Sequence, residues 1–474
     1  MQIPIIKGIY SDQTGDFRIA YPINMVPIPQ PNGISQGYLR YGDGIVSNGT
    51  GPGFGRGGIN WNNRLYRVMG DQLVEVLANG TVNNLGTVTN TTDTVSMDYS
   101  FDYLATTSGG NLYYWDGATL QQVTDPDLGT VVDFLWIDGY FMTTDGTFLI
   151  VTELNDPFAV NPVKYGSSEL DPDPVVALLK LRNEVHALNR YTIEAFDNVG
   201  GTGFPFQRID GAQIQRGCIG THACAVFLES IAFVGGGRNE SISIWLASGG
   251  QSARIATREI DLLLKNYSES TLSQVLMEVR VDEGHQHLLV HLPDQTLIYD
   301  ANASRIVGDS VWFIQTTAAA RTNQGGLQKL CYRVRHLVRC YDQWLVTDPM
   351  SSNIGYLTKT TGHHWGQMVG WEFTTSMIYA ESLGVIFHQL ELVALPGRQQ
   401  LGVDTAVATQ YSLDGETWSQ PKTRNLGQQG KRKKRLLWLN QGSMRNYRIQ
   451  RFWGTSDAQL SVTRLEAKLE ALGA

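Results

Sequence analysis

The chain has 474 residues with 50 glycines, four cysteines and a formal charge of −8 at neutral pH. That charge argues against a surface built to grip nucleic acid, which needs clustered Lys and Arg to neutralise phosphates. Four widely placed cysteines exclude a disulfide framework, and the lack of a signal-peptide pattern or an apolar run of about 18 residues predicts cytosolic synthesis and no stable membrane insertion.

Residues 1–40 are rich in proline (Pro4, Pro22, Pro27, Pro29 and Pro31), which opposes regular structure. Ile3, Ile5, Ile6, Tyr10, Phe17, Tyr21, Met25 and Val26 give the same stretch apolar anchors that a disordered tail would lack. The segment reads either as an extended N-terminal arm, packed across its own domain or onto a neighbour, or as a terminal strand closing a ring of sheets.

From residue 41 to 369 one phrase returns seven times: an alternating strand, a Gly/Asn/Asp turn and a second strand. The copies are Arg64–Val68 with Gln72–Val76, Tyr103–Thr106 with Leu112–Trp115, Tyr140–Thr143 with Phe148–Val151, and Glu184–Leu188 with Tyr191–Phe196. Ile231–Val234 with Ile242–Leu246, His287–Val290 with Thr296–Tyr299, and Trp344–Thr347 with Ile354–Leu357 complete the set. Their anchors Leu65, Leu104, Phe141, Val185, Ile231, Leu288 and Leu345 recur every 37 to 57 residues or so, a spacing that suits four-stranded blades. Period-two alternation bounded by turn residues is the strand signal, and its radial repetition predicts an all-β fold, a β-propeller of about seven blades.

Two stretches interrupt the pattern and read as inter-blade insertions. One is 171–179, where Pro172 and Pro174 precede an apolar run. The other is 258–281, where Arg258–Leu264 is followed by Ser270–Val281, whose Leu272, Val275, Leu276 and Val279 fit helical spacing. Past residue 370 strand-like runs follow one another without the phrase: Ile378–Ala380, Val385–Leu392, Val403–Tyr411, Arg435–Leu439, Tyr447–Trp453 and Leu460–Leu465. Residues 370–474 therefore read as a separate C-terminal β-sandwich-like domain ending in a helix-prone segment, Arg464–Leu472.

Several constellations carry a chemical possibility, and each has a plainer reading. Gly53-Phe-Gly55-Arg-Gly-Gly58 matches G-x-G-x-x-G, but a strand rather than a helix follows, so it reads as a Gly-rich loop. Cys218-x3-His222-x-Cys224 lacks a second ligand pair and reads as buried strand residues, in keeping with four reduced thiols including Cys331 and Cys340. His285, His287 and His291 share one strand face without a carboxylate placed by motif, and His363-His364 stands no better. Lys431-Arg-Lys-Lys-Arg435 is either a contact for DNA phosphates or an acidic partner, or a solvated hairpin tip, and the tip is favoured. Asp71, Asp116, Asp138, Asp145 and Asp294 sit on turns they are suited to close. No Ser/His/Asp order or positioned carboxylate pair stands out, so the chain is expected not to be an enzyme, with no catalytic, cofactor-binding or metal residues assigned and no cofactor.

Ser412-Leu-Asp-Gly-Glu-Thr-Trp418-Ser resembles the Asp-box turn of sialidase-type propellers with one residue fewer. In it Asp414 closes the turn, Gly415 supplies a positive φ and Trp418 packs underneath. Together with Tyr411, Leu426-Gly, Gly430, Arg435-Leu-Leu-Trp438, Gly442 and Arg445, and with the opening Met1-Gln-Ile-Pro-Ile-Ile-Lys-Gly-Ile-Tyr10, it gives the whole chain a second likeness. The chain resembles the packaged-DNA stabilisation proteins, the tail accessory factors of short-tailed lambdoid-type phages. The resemblance implies a structural virion protein, made in the host bacterial cytoplasm. It implies a hexameric ring (a hub or nozzle) of its own copies below the portal and its adaptor ring. Its partners would be that adaptor, a tail needle plug and tailspikes or receptor-binding proteins. DNA would be retained against leakage and later ejected through the ring, which an acidic, charge-poor chain would let slide rather than stick. The alternative reading is a propeller glycosidase or carbohydrate-binding protein acting on host surface polysaccharide.

Overall fold

Each of the seven phrases becomes the second and third strand of a small antiparallel sheet in the computed structural model. The model describes residues 1–474 except 12–14, 31–36, 155, 323–324, 381–383, 400, 458 and 473–474; Pro31 thus lies outside the described residues. In the first sheet the turn Gly70-Asp71 joins Arg64–Met69 to Gln72–Val76, and Gly55–Trp61 and Val82–Thr87 flank the pair. The next sheets repeat the order around Leu104–Ser108, Tyr140–Thr144, Glu184–Asn189 and Ser230–Gly236. His285–His291 and Gln343–Thr347 hold the same place in the sixth and seventh.

The chain divides into two compact units, one of residues 1–46, 281–333 and 357–474, the other of 47–280 and 334–356. Within the second unit, consecutive sheets share apolar cores. Trp61, Tyr66 and Val68 pack with Leu104, Tyr113 and Trp115, and Ala105 and Tyr114 pack with Phe134, Phe141 and Ile150. Leu135, Met142 and Val151 pack with Leu178, Val185 and Phe196. The core of Leu65, Met69 and Val74 with Val338, Leu345 and Ile354 joins the last phrase to the first, so the repeat closes on itself. Strand Gly44–Thr50, which precedes the first sheet, completes the seventh; the Gly51 N–H bonds the Ser352 carbonyl at 2.8 Å. Radial repetition of this kind leaves only short strand edges.

The first unit contains two facing sheets, ordered Met25–Pro29, Gly37–Tyr41, Ser461–Ala471, Val385–Leu395, Leu436–Leu439 and Gly370–Thr374, Tyr447–Thr455, Ala406–Ser412, Lys422–Asn425. Between them lies a core that includes Trp371, Phe373, Phe387, Leu390, Trp438 and Phe452, together with Ile3, Ile5, Met25 and Leu39 from the lead-in. The lead-in is therefore extended but not irregular. Gln2–Ile3 pairs with Glu466 and Leu465, and Pro27 and Pro29 fall on an edge strand, where a missing N–H costs no ladder bond.

Three local expectations are corrected. Arg464–Leu472 is not helical: Ser461–Ala471 is a strand paired along Val385–Leu395, and burying Val462, Leu465 and Ala467 in the core outweighs the helix preference of Leu, Glu, Ala and Lys. Of Ser270–Val281 only Glu269–Leu272 is helical, and Leu276–Asp282 is a strand. The apolar run in 171–179 is no insertion, since Val175–Leu181 is the first strand of the fourth sheet. Arg258–Leu264, within the second break in the strand pattern, is a helix.

Candidate functional site: the central cavity of the propeller

The first strand of each sheet pairs on one side only, so its other edge presents unpaired backbone groups that must find partners. In the second unit these edges converge on a cavity of about 320 Å³. Gly57, Met97, Asp133, Leu178, Cys224, Met277 and Leu337 line it, one for each sheet.

Three carboxylates serve those edges, each from the first strand of one sheet to that of the next. Asp98 accepts from the Trp136 N–H at 2.6 Å, Asp133 from the Leu178 N–H at 2.8 Å, and Glu278 from the Leu337 N–H at 2.6 Å. Ser96 Oγ donates to the other oxygen of Asp133. Burial pushes the carboxyl of Asp133 up to about 6 despite these bonds, and burial likewise raises Asp98. Lys180 Nζ donates to the Trp136 carbonyl at 2.8 Å and lies 5.2 Å from that indole ring, while His222 Nε2 is 3.1 Å from the Thr94 carbonyl. Arg67, fully buried, donates to the His336 carbonyl at 3.0 Å; burial lowers its guanidinium to about 10, and the charge of Glu278 opposes that fall. His336 is held neutral by burial, down to about 3. Cations, carboxylates and imidazoles meet here, and each of the three carboxylates accepts a backbone N–H of the next sheet, as in a staple between sheets. The sequence signal was present: one acidic residue inside an otherwise apolar first strand (Met97-Asp-Tyr99, Asp133-Phe-Leu-Trp136, Met277-Glu-Val279). It went unread because its partners lie 38 to 59 residues away.

The motifs singled out in the sequence fall on structural tasks. Gly55 and Gly57 lie in the first strand of the first sheet, and a Cβ at Gly57 would come within 2.5 Å of Val95 Cγ2, so that glycine permits close packing. Arg56 between them donates to the Asp93 and Gly70 carbonyls, both at 2.9 Å. None of the four cysteines is in a disulfide; the Cys218 thiol lies 3.2 Å from the Gly220 carbonyl, and Cys218, Cys224 and Cys340 are buried. His291 Nδ1 is 2.9 Å from Thr296 Oγ1, away from His285 and His287, which gather instead around Asp300. His364 is buried against Thr317 Oγ1 (3.0 Å) and His363 faces Asp457 (2.9 Å).

Asp116 and Asp145 close their turns as read: Asp116 accepts from the Ala118 and Thr119 N–H groups, Asp145 from Thr147 and Phe148. Asp414 does the same for Glu416 and Thr417, with Gly415 at φ 82°. That turn belongs to the sandwich, and Trp418 stacks under Arg451 at 4.0 Å. In the basic run, Arg435 forms a two-pronged pair with Glu391, while Lys431, Arg432, Lys433 and Lys434 are exposed.

Against known families, residues 1–362 match the model described as "Bacteriophage P22 Gp10, beta-propeller" and residues 370–470 match "Bacteriophage P22 Gp10, beta-sandwich". The chain belongs to the P22 Gp10 family. The "Tail hub protein gp10" of Salmonella phage P22 is 29% identical over 328 residues, covering 64% of this chain and 67% of that protein. Among solved structures, the Pan2 WD40 domain of Neurospora crassa covers 67% of this chain and 96% of its own length at 10% identity, with a TM-score of 0.40. PorZ of Porphyromonas gingivalis covers 79% and 46% at 12% identity, also at 0.40. Likeness at that level carries no argument about function. Among the described residues no helix is long and apolar enough to cross a membrane.

Proposed function

We propose that this chain is a structural tail hub protein of a short-tailed phage. In this reading copies of it assemble as a ring below the portal and its adaptor, hold packaged DNA against leakage and form part of the conduit for ejection. The observation that carries it is the family match across both the propeller and the sandwich, 1–362 and 370–470.

The physical chemistry supports such a role. A retaining ring needs wedges that do not deform or pair edge to edge, and a propeller closed by its own early strand and stapled between sheets is of that kind. Head-to-tail contacts between such wedges close into a ring when the rotation allows. A net charge of −8 disfavours capture of DNA sliding past. The portal adaptor, a needle plug and tailspikes or receptor-binding proteins are the partners this role requires, with synthesis in the host cytoplasm.

Complementation tests the proposal. Particles assembled without the chain should package DNA and then lose it, and adding the purified chain should restore retention; full retention without it would refute the role. Sedimentation gives a second expectation: the isolated chain is monomeric or weakly associated, and adaptor-loaded portals drive ring formation. A stable hexamer of the isolated chain at low concentration would refute that assembly order.

A further inference from the structure

The first unit gathers two imidazoles and a carboxylate that neither the fold nor the proposed role explains. His285 and His287 lie two residues apart on strand His285–His291, hence on the same face. The antiparallel register sets His287 directly opposite Asp300, the last residue of strand Thr296–Asp300. The two-residue spacing of the histidines was visible in the sequence, but His291 was grouped with them and Asp300 was not, because only the cross-strand register brings the carboxylate in.

Asp300 is held from both sides. One oxygen accepts from the Ala303 N–H at 3.1 Å and caps the helix Ala301–Val307. The other lies 2.6 Å from His285 Nδ1 and 3.4 Å from His287 Nε2. The two imidazole rings are 5.1 Å apart, and Phe313 packs edge-on against His287 at 5.4 Å. All three donor atoms lie within 4.8 Å of one another. An ion with bonds of about 2.0–2.2 Å in tetrahedral geometry holds its ligand atoms roughly 3.3 Å apart, so small side-chain rotations suffice. Two imidazole nitrogens and one carboxylate oxygen suit zinc or iron(II), leaving remaining positions to water. The carboxylate is rigid because it caps a helix, and His285, with 16% of its side chain exposed, gives a way in.

We propose that His285, His287 and Asp300 form a binding site for one divalent transition-metal ion. The ion would clamp strand His285–His291, strand Thr296–Asp300 and the helix that follows them, and add its binding free energy to the stability of that unit.

The test uses the full-length chain, dialysed against chelator and titrated with Zn²⁺ by calorimetry and with Co²⁺ by visible absorption. The expected result is one ion per chain, intense tetrahedral Co²⁺ bands, and a Tm raised by Zn²⁺ and restored by EDTA. His285→Ala, at the most exposed of the three residues, should weaken binding at least tenfold; Asp300→Asn keeps an oxygen for the helix cap and should do the same. Circular dichroism and the metal-free Tm check that each variant is folded, and should Asp300→Asn fail to fold, His285→Ala alone decides. No binding at micromolar Zn²⁺ would overturn the site. Equal binding by the folded His285→Ala variant would also overturn it, because the ion would then sit elsewhere, for instance at the exposed His388–Glu470 pair.

Discussion

Along the propeller's cavity the buried charges are mostly carboxylates bonded to backbone N–H groups, whereas in the sandwich they include guanidiniums laid on aromatic rings. Arg448 is fully buried, lies 4.2 Å from the Phe387 ring and 3.9 Å from that of Tyr411, and donates to Gln450 Oε1 at 2.9 and 3.0 Å and to the Gln441 carbonyl at 2.6 Å. Arg451 stacks on Trp418 and donates to Gln410 at 2.8 Å. Burial lowers both guanidiniums to about 10. The difference follows from architecture. A ring of radial sheets leaves a column of open strand edges at its centre, and a short acidic side chain reaches the next edge's N–H. Two sheets packed face to face expose no such column, and a buried polar group there survives by covering aromatic faces while its fork meets carbonyls and amides.

The largest disruption of this contrast is expected from Arg448→Ala, which removes two ring contacts and leaves Gln450 Oε1 and the Gln441 carbonyl without their donor. It should cost about 3 kcal/mol or more, read as an earlier denaturation midpoint of the sandwich transition. Next is Glu278→Ala, which strands the Leu337 N–H and takes a negative charge from beside buried Arg67. About 2–3 kcal/mol is expected in the propeller transition, with Glu278→Gln recovering most of it because its amide oxygen still accepts.

Acidity separates the regions further. The Asp133 carboxyl ionises near 6 in the folded chain against an ordinary 3.8, so its contribution to stability is full below about pH 4 and lost as pH rises through 6. Relative to wild type, Asp133→Asn should gain about 1.4 kcal/mol per pH unit across that window in a Tm-versus-pH series. His336 and His364 act in the opposite sense: burial holds both neutral to about 3, so acidification below about 6.5 favours the unfolded chain, in which they take up protons. The smallest effect on stability is expected from replacing Lys431, Arg432, Lys433 and Lys434 together with Ser. These side chains are exposed, so folding should change by no more than about 0.5 kcal/mol. Weaker retention on heparin would mark the loop as a polyanion contact, and unchanged retention would leave it a solvated tip.

Much of the fold was legible because its signals are local. All seven phrases are paired second and third strands, since alternation and a Gly/Asn/Asp turn specify a hairpin without reference to the rest of the chain. The runs beyond residue 370 were readable for the same reason. Illegible were the features whose partners are distant. Ser461–Ala471 has the composition of a helix and becomes a strand because Val385–Leu395 and the lead-in pair with it. Val175–Leu181 looks like an insertion until its register with Glu184–Asn189 is seen.

The sequence by itself determined the hairpins, their number and the change of texture near residue 370, because short-range hydrogen bonding and burial periodicity are written into neighbouring residues. Only the tertiary structure decided which carboxylate meets which edge, which arginines lie under aromatic rings, and that Asp300 rather than His291 joins His285 and His287. Those choices depend on the register of strands and the closure of sheets, which no window of sequence contains.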